Sequence, residues 1–215
     1  MRNNIKTKIG KIMALVEELP YFTLDDLSSI ERNKNYLKIL FSRQEKFGKI
    51  IRLKKGVYVC ERFLLAHLSR SEMDFYYEFL ANILYQPSYL SLDYILYENN
   101  LLTEIPRNFT SITKNKTANF SNKFGNFFYH KIKDELFCGF EIVEKGDFTI
   151  WRASKAKALF DFLYFRKNSL INKKIFEELR INLENLTKSD LREIEKYVKI
   201  EGSKRMREIF NYLVK

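Results

Sequence analysis

Amide, hydroxyl and cationic side chains recur between residues 34 and 46 at a spacing that aligns them along one side of an α-helix. At about 100° per residue, Asn35, Lys38, Ser42 and Lys46 share a face with Ile39, Arg43 lies at its edge and Lys34 at its start. Such groups hydrogen-bond to base edges and pair with phosphates, while an apolar side chain such as Ile39 suits a thymine methyl. Arg52, Lys54 and Lys55 add three cations just before Gly56. A solvated helix face has a similar composition, and so does a protein-docking face. The elements that carry these residues therefore have to decide between the three.

A second constellation is Asp134, Glu141 and Lys145. Metal-dependent nucleases hold carboxylates and a lysine on adjacent strands, where the bound ion activates water. Glu141 and Lys145 stand four residues apart across an expected strand end, which predicts that they miss a shared face. The chain has no glycine-rich phosphate loop, no GxSxG and no HExxH. Cys60 and Cys138 form no CxxC pair and read as buried or half-buried thiols, and His67 and His130 have no carboxylate or cysteine at ligand spacing. The expectation is a protein without catalytic activity, metal or cofactor.

The elements around the polar face follow from periodicity. Ile5, Ile9, Ile12, Met13 and Val16 predict an amphipathic helix that Pro20 ends. Thr23 caps a short second helix opening on Leu24, Asp25, Asp26 and Leu27. A third helix spans about 33–47, turns Leu37, Leu40, Phe41, Gln44 and Phe47 inward, and stops at Gly48. Two β-rich runs, 50–53 and 57–59, flank Lys54-Lys55-Gly56 as a hairpin. Three helices followed by a hairpin is the order of a winged helix-turn-helix, whose third helix enters the major groove while the hairpin lies on the backbone.

Charge points the same way. Of the net +11, residues 1–60 hold 13 basic against 6 acidic side chains, residues 61–166 hold 13 of each, and residues 167–215 hold 12 against 8. Positive charge concentrated in one quarter suits a polyanion. With 215 residues, 46% hydrophobic, the chain can bury a core. No apolar run approaches the roughly 18 residues of a membrane span, and no apolar core follows the basic start at residues 1–6, so a cytoplasmic protein is expected.

Beyond residue 60 the reading is α+β. A helix over 71–85 capped by Ser71, a break at Gln86-Pro87 and a helix over 91–97 precede strand candidates at 109–113, 127–130, 136–140 and 148–151, expected to form a small antiparallel sheet. A helix over 153–165 follows. Residues 172–186 read as helical, Thr187-Lys188-Ser189-Asp190 as a capping box with Asp in place of Glu, and Gly202 and Ser203 as the junction to a last helix. Three segments are expected: 1–60, a winged helix-turn-helix; 61–166, a mixed α/β domain; and 167–215, C-terminal helices.

Two stretches of the middle segment resemble the AbiEi family of type IV antitoxins and transcriptional regulators. Pro87-Ser88-Tyr89-Leu90-Ser91-Leu92-Asp93-Tyr94-Ile95-Leu96 is similar to the family's "sYiSleSAL", and Ile150-Trp151-Arg152-Ala153-Ser154-Lys155-Ala156-Lys157-Ala158-Leu159-Phe160-Asp161 to its "iA-x-x-EKALlD". Phe140, after Gly139, sits where the family's last sheet strand begins, and Phe22-Thr23 to Tyr58-Val59 fits its winged-helix half, so the likeness covers roughly residues 5–166. Ala156 replaces the family's glutamate, and Tyr94 and Ile95 replace small residues. The resemblance implies a repressor that binds inverted repeats in its own double-stranded operator. Its functional counterpart would be a nucleotidyltransferase-like toxin, opposed without a stable complex. It adds no cofactor and no membrane partner. The C-terminal part of longer relatives carries toxin neutralisation, which places that role after residue 61 here.

Overall fold

Residues 7–214 are described in the computed structural model. Ile5, expected on the first helix, and the basic start at residues 1–6 lie outside them. The fold is α+β, with one three-stranded antiparallel sheet and one six-stranded mixed sheet. The chain forms two compact units, Met1–Phe75 with Phe120–Gly125, and Tyr76–Asn119 with Asn126–Lys215. Residues 61–75 thus group with the first sixty, and the C-terminal helices with the middle of the chain.

In the first unit, α1 (Lys8–Val16) begins where the Thr7 hydroxyl accepts from the Gly10 amide at 3.0 Å. It buries Ile12, Met13 and Val16, while Ile9 remains 43% exposed. The expected second helix is shorter than its pattern suggested. Phe22 and Thr23 form a strand, β1 (Phe22–Thr23), and only Asp25–Leu27 turns, as a 3-10 helix. The Asp26 carboxylate takes both the amide and the hydroxyl of Thr23, at 2.6 and 2.9 Å.

Helix α2 (Lys34–Lys46) matches the expected third helix, with Asn33 Oδ1 accepting from the amides of Asn35 and Tyr36 at 3.0 and 3.1 Å. Gly48, at φ +72°, adopts the left-handed conformation that ends it. Strands β2 (Ile50–Lys54) and β3 (Val57–Cys60) form the hairpin, and β1 pairs on the far side of β3, giving the order β1-β3-β2. Phe22 and Tyr58 face each other across β1 and β3, and Phe41 of α2 packs on both rings at 5.2 and 5.4 Å between centroids. Helix α3 (Glu61–His67), which periodicity did not reveal, is tied to the end of α1 through Arg62 and Glu17 at 3.0 Å.

Helix α4 (Arg70–Leu84) starts on Ser69, not Ser71. The Ser69 amide donates to the Glu72 carboxylate at 2.8 Å, and its carbonyl accepts from Glu72 and Met73. In the second unit the sheet runs β6-β7-β5-β4-β9-β8. Its strands are β4 (Ser88–Leu90), β5 (Phe109–Thr113), β6 (Ala118–Asn122), β7 (Gly125–Lys131), β8 (Phe140–Lys145) and β9 (Phe148–Ala153). Pairs β4/β9 and β5/β7 are parallel, so the sheet is mixed rather than the small antiparallel one expected. Helix α5 (Leu92–Glu98) joins β4 to its antiparallel neighbour β5, and β4 lies inside the sheet with all three of its residues buried.

Two further expectations are corrected here. Residues 136–139 are not a strand. Asp134–Leu136 makes a 3-10 turn and Gly139 adopts φ +72°, where any side chain would collide with the Tyr197 hydroxyl, so β8 begins only at Phe140. Residues 172–186 hold only α7 (Lys173–Glu177) and a 3-10 turn at Leu183–Asn185. Long-range hydrogen bonds override helix propensity there: the Asn182 amide donates to the Leu101 carbonyl at 3.0 Å, and the Asn182 and Asn185 side chains donate to the Asn100 carbonyl. Helix α6 (Lys155–Arg166) is capped by Ser154. Helix α8 (Lys188–Glu201) opens with the expected Thr187–Asp190 capping box and closes on Gly202, and α9 (Lys204–Val214) follows, its Met206 amide donating to Ser203.

Candidate nucleic-acid interface

The aromatic trio Phe22, Phe41 and Tyr58 decides which side of α2 faces outward. Leu37, Leu40 and Phe41 are buried beneath it, and Gln44 is half-buried. The opposite side presents Asn35, Lys38, Ile39, Ser42, Arg43 and Lys46, all exposed. Phe47 departs from the expected inward set. It stands at the C-cap, with φ −88° and ψ 4°, outside the helical screw, and is 75% exposed.

The cations differ in availability. Lys38, Arg43 and Lys46 make no ion pair among the described residues, and neither do Arg52 and Lys55 of the hairpin. Lys34 is paired with Asp25 at 2.5 Å; both side chains are largely solvated, so the pair contributes little stability and opens readily. Lys54 is corrected from the exposed wing set. It is half-buried with its ammonium 5.7 Å from the centre of the Phe120 ring, and burial holds its pKa below the usual lysine value. Arg52 points outward between the buried Ile51 and Leu53, as strand alternation requires.

The three nuclease-like residues are not gathered. Glu141 and Lys145 do lie on one strand at even spacing, and so on one face, contrary to expectation. Four residues of extended chain put them about 13 Å apart. The Lys145 ammonium is held by the buried Glu78 carboxylate at 2.8 and 3.1 Å, and Asp134 lies in the 3-10 turn before β8. Among the described residues no group of three or more His, Cys, Asp or Glu could hold a metal ion. Cys60 is a buried free thiol and Cys138 a half-buried one. No helix of the described residues is long and apolar enough to cross a membrane.

In the second unit the stretches 87–96 and 150–161 meet in a polar cluster that reading them as packing residues missed. Lys157 and Asp161, one turn apart on α6, form an ion pair with both side chains fully buried. The other oxygen of Asp161 accepts from Ser91 Oγ at 2.8 Å and Tyr89 Oη at 3.1 Å. The rings of Phe160, Tyr197 and Tyr89 surround the Lys157 ammonium, at 4.9, 5.2 and 5.7 Å to their centres. Burial pushes the Asp161 carboxyl above its ordinary pKa, and the Lys157 ammonium and the two hydroxyls pull it back. A lysine followed four residues later by an aspartate on a helix of otherwise buried residues was the available signal.

The first unit therefore has an exposed, acid-poor helix face and a cationic hairpin on one rigid support. The second has a buried charge cluster. Compared with known proteins, no family model matches this chain, and no curated protein matches it.

Proposed function

We propose that this protein is a DNA-binding transcriptional repressor and an antitoxin, acting by binding and not by catalysis. Its first unit works as a winged helix: α2 enters the major groove and the β2–β3 hairpin lies along the sugar-phosphate backbone. The observation that carries this reading is the set of five exposed cations, Lys38, Arg43, Lys46, Arg52 and Lys55, which make no ion pair among the described residues, beside Asn35 and Ser42 on elements locked by the Phe22–Phe41–Tyr58 packing. The amide and hydroxyl suit base edges and the cations suit phosphates. The antitoxin role rests on the likeness to AbiEi sequences, with a nucleotidyltransferase-like toxin as counterpart and inverted repeats of the chain's own operator as DNA.

Salt tests it. Fluorescence anisotropy with a labelled duplex of the upstream region is expected to give a log–log slope of affinity against salt of about −4 to −5 for each bound chain, if each of the five cations displaces about 0.9 counterions. Binding unchanged between about 50 and 200 mM salt contradicts the mechanism.

One observation favours a second reading. Ile39 on α2 and Phe47 at its C-cap are 56% and 75% exposed, and large apolar side chains are what a protein partner buries. On that reading α2 docks a protein. Pull-downs that survive nuclease treatment, together with no shift of the duplex, would select it.

A further inference from the structure

Residues 105–133 carry six cations, Arg107, Lys114, Lys116, Lys123, Lys131 and Lys133, and no carboxylate. The neutral total for residues 61–166 hides them. Five belong to the second unit. Lys123 belongs to Phe120–Gly125, the piece of chain that groups with the first.

That piece is the tip of the β6–β7 hairpin, and it lies along β2. The Asn122 side-chain amide donates to the Leu53 carbonyl at 3.0 Å, and Phe120 presents its ring to the Lys54 ammonium. Strand β2 is an edge of its sheet, and the tip meets that strand through these two side-chain contacts. Asn122 also closes the turn, its Oδ1 accepting from the Phe124 amide at 2.8 Å. Lys123 stands at the apex between them, exposed and without an ion pair among the described residues.

We propose that Lys123 is a further contact to the DNA backbone and that the β6–β7 tip acts as a second finger beside the β2–β3 hairpin. This rests on the DNA-binding reading above. The Asn122 and Phe120 contacts hold the tip against β2, so Lys123 adds an exposed cation beside the strand that carries Arg52, for the same sugar-phosphate chain. It is a contact to phosphate and carries no base preference. The side chain is held ready because Asn122 and Phe120 fix the turn that bears it.

The test is anisotropy of the full chain on the labelled upstream duplex across a salt series. Lys123→Ala is expected to weaken binding about 3- to 10-fold near physiological salt and to make the log–log slope shallower by about one. Its melting temperature should stay at the wild-type value. Lys123→Arg keeps both affinity and slope, and Lys116→Ala, an exposed cation of the second unit, leaves both unchanged. If the wild type binds with a steep salt slope and Lys123→Ala matches it, or if Lys116→Ala loses as much, the second finger is wrong and the DNA reading stands. A wild-type chain with no salt-dependent binding overturns both.

Discussion

Asp161→Ala is expected to lower unfolding stability by about 3–5 kcal/mol, the usual loss when one member of a buried ion pair is removed. In a chain of this size that is a fall in melting temperature on the order of 10 °C. The reason lies in what the substitution leaves behind. Lys157 keeps a fully buried ammonium without its counter-charge, and the hydroxyls of Ser91 and Tyr89 lose their acceptor. Two further variants separate the contributions. Asp161→Asn keeps an acceptor for the hydroxyls and loses only the charge, so it should retain part of the stability. Lys157→Met with Asp161→Leu removes both charges and should be milder than Asp161→Ala alone. Thermal or urea unfolding measures all of them, and a loss below about 1 kcal/mol for Asp161→Ala would show that the cluster does not hold this end of the sheet to α6.

The second large effect falls on DNA affinity. Lys38→Ala combined with Arg43→Ala removes two of the five exposed cations proposed to meet phosphate. It is expected to weaken binding about 10- to 100-fold near physiological salt and to make the salt slope shallower by about two. Both side chains are exposed and point away from the Phe22–Phe41–Tyr58 packing, so unfolding stability should move by no more than about 0.5 kcal/mol. Equal affinity in the variant, or a drop in stability that accounts for the loss, would take these residues out of the interface.

Much of the first unit was legible because its signals are local. Asn33 and Gly48 mark the ends of α2, the 3.6-residue spacing of Leu37, Leu40 and Phe41 sets its buried side, and the glycine at 56 turns the hairpin. What escaped depends on partners distant in sequence. Strand β4 is three residues long and is a strand only because β5 and β9 flank it. Residues 178–186 have helical spacing, yet Asn100 and Leu101 hold them open through hydrogen bonds spanning more than eighty residues. Lys54 looked like a wing cation until Phe120 covered it. Lys157 and Asp161 stand one turn apart on α6, but their burial depends on Tyr89, Ser91 and Tyr197 arriving from two other parts of the chain. For the candidate site, composition and periodicity identified the face of α2, and tertiary contacts decided which cations remain free on it.

The return of the chain at Phe120–Gly125 to cover β2 bears on how the molecule can be divided. A fragment cut near residue 75 would keep α1, α2 and the three strands but would lose the lid over the last of them. It would then offer unsatisfied amides and carbonyls in a row that a neighbouring copy can zip onto. Proteolysis after residue 75 would in this way leave a first unit more prone to self-association, which the six-residue Phe120–Gly125 piece counters in the intact chain.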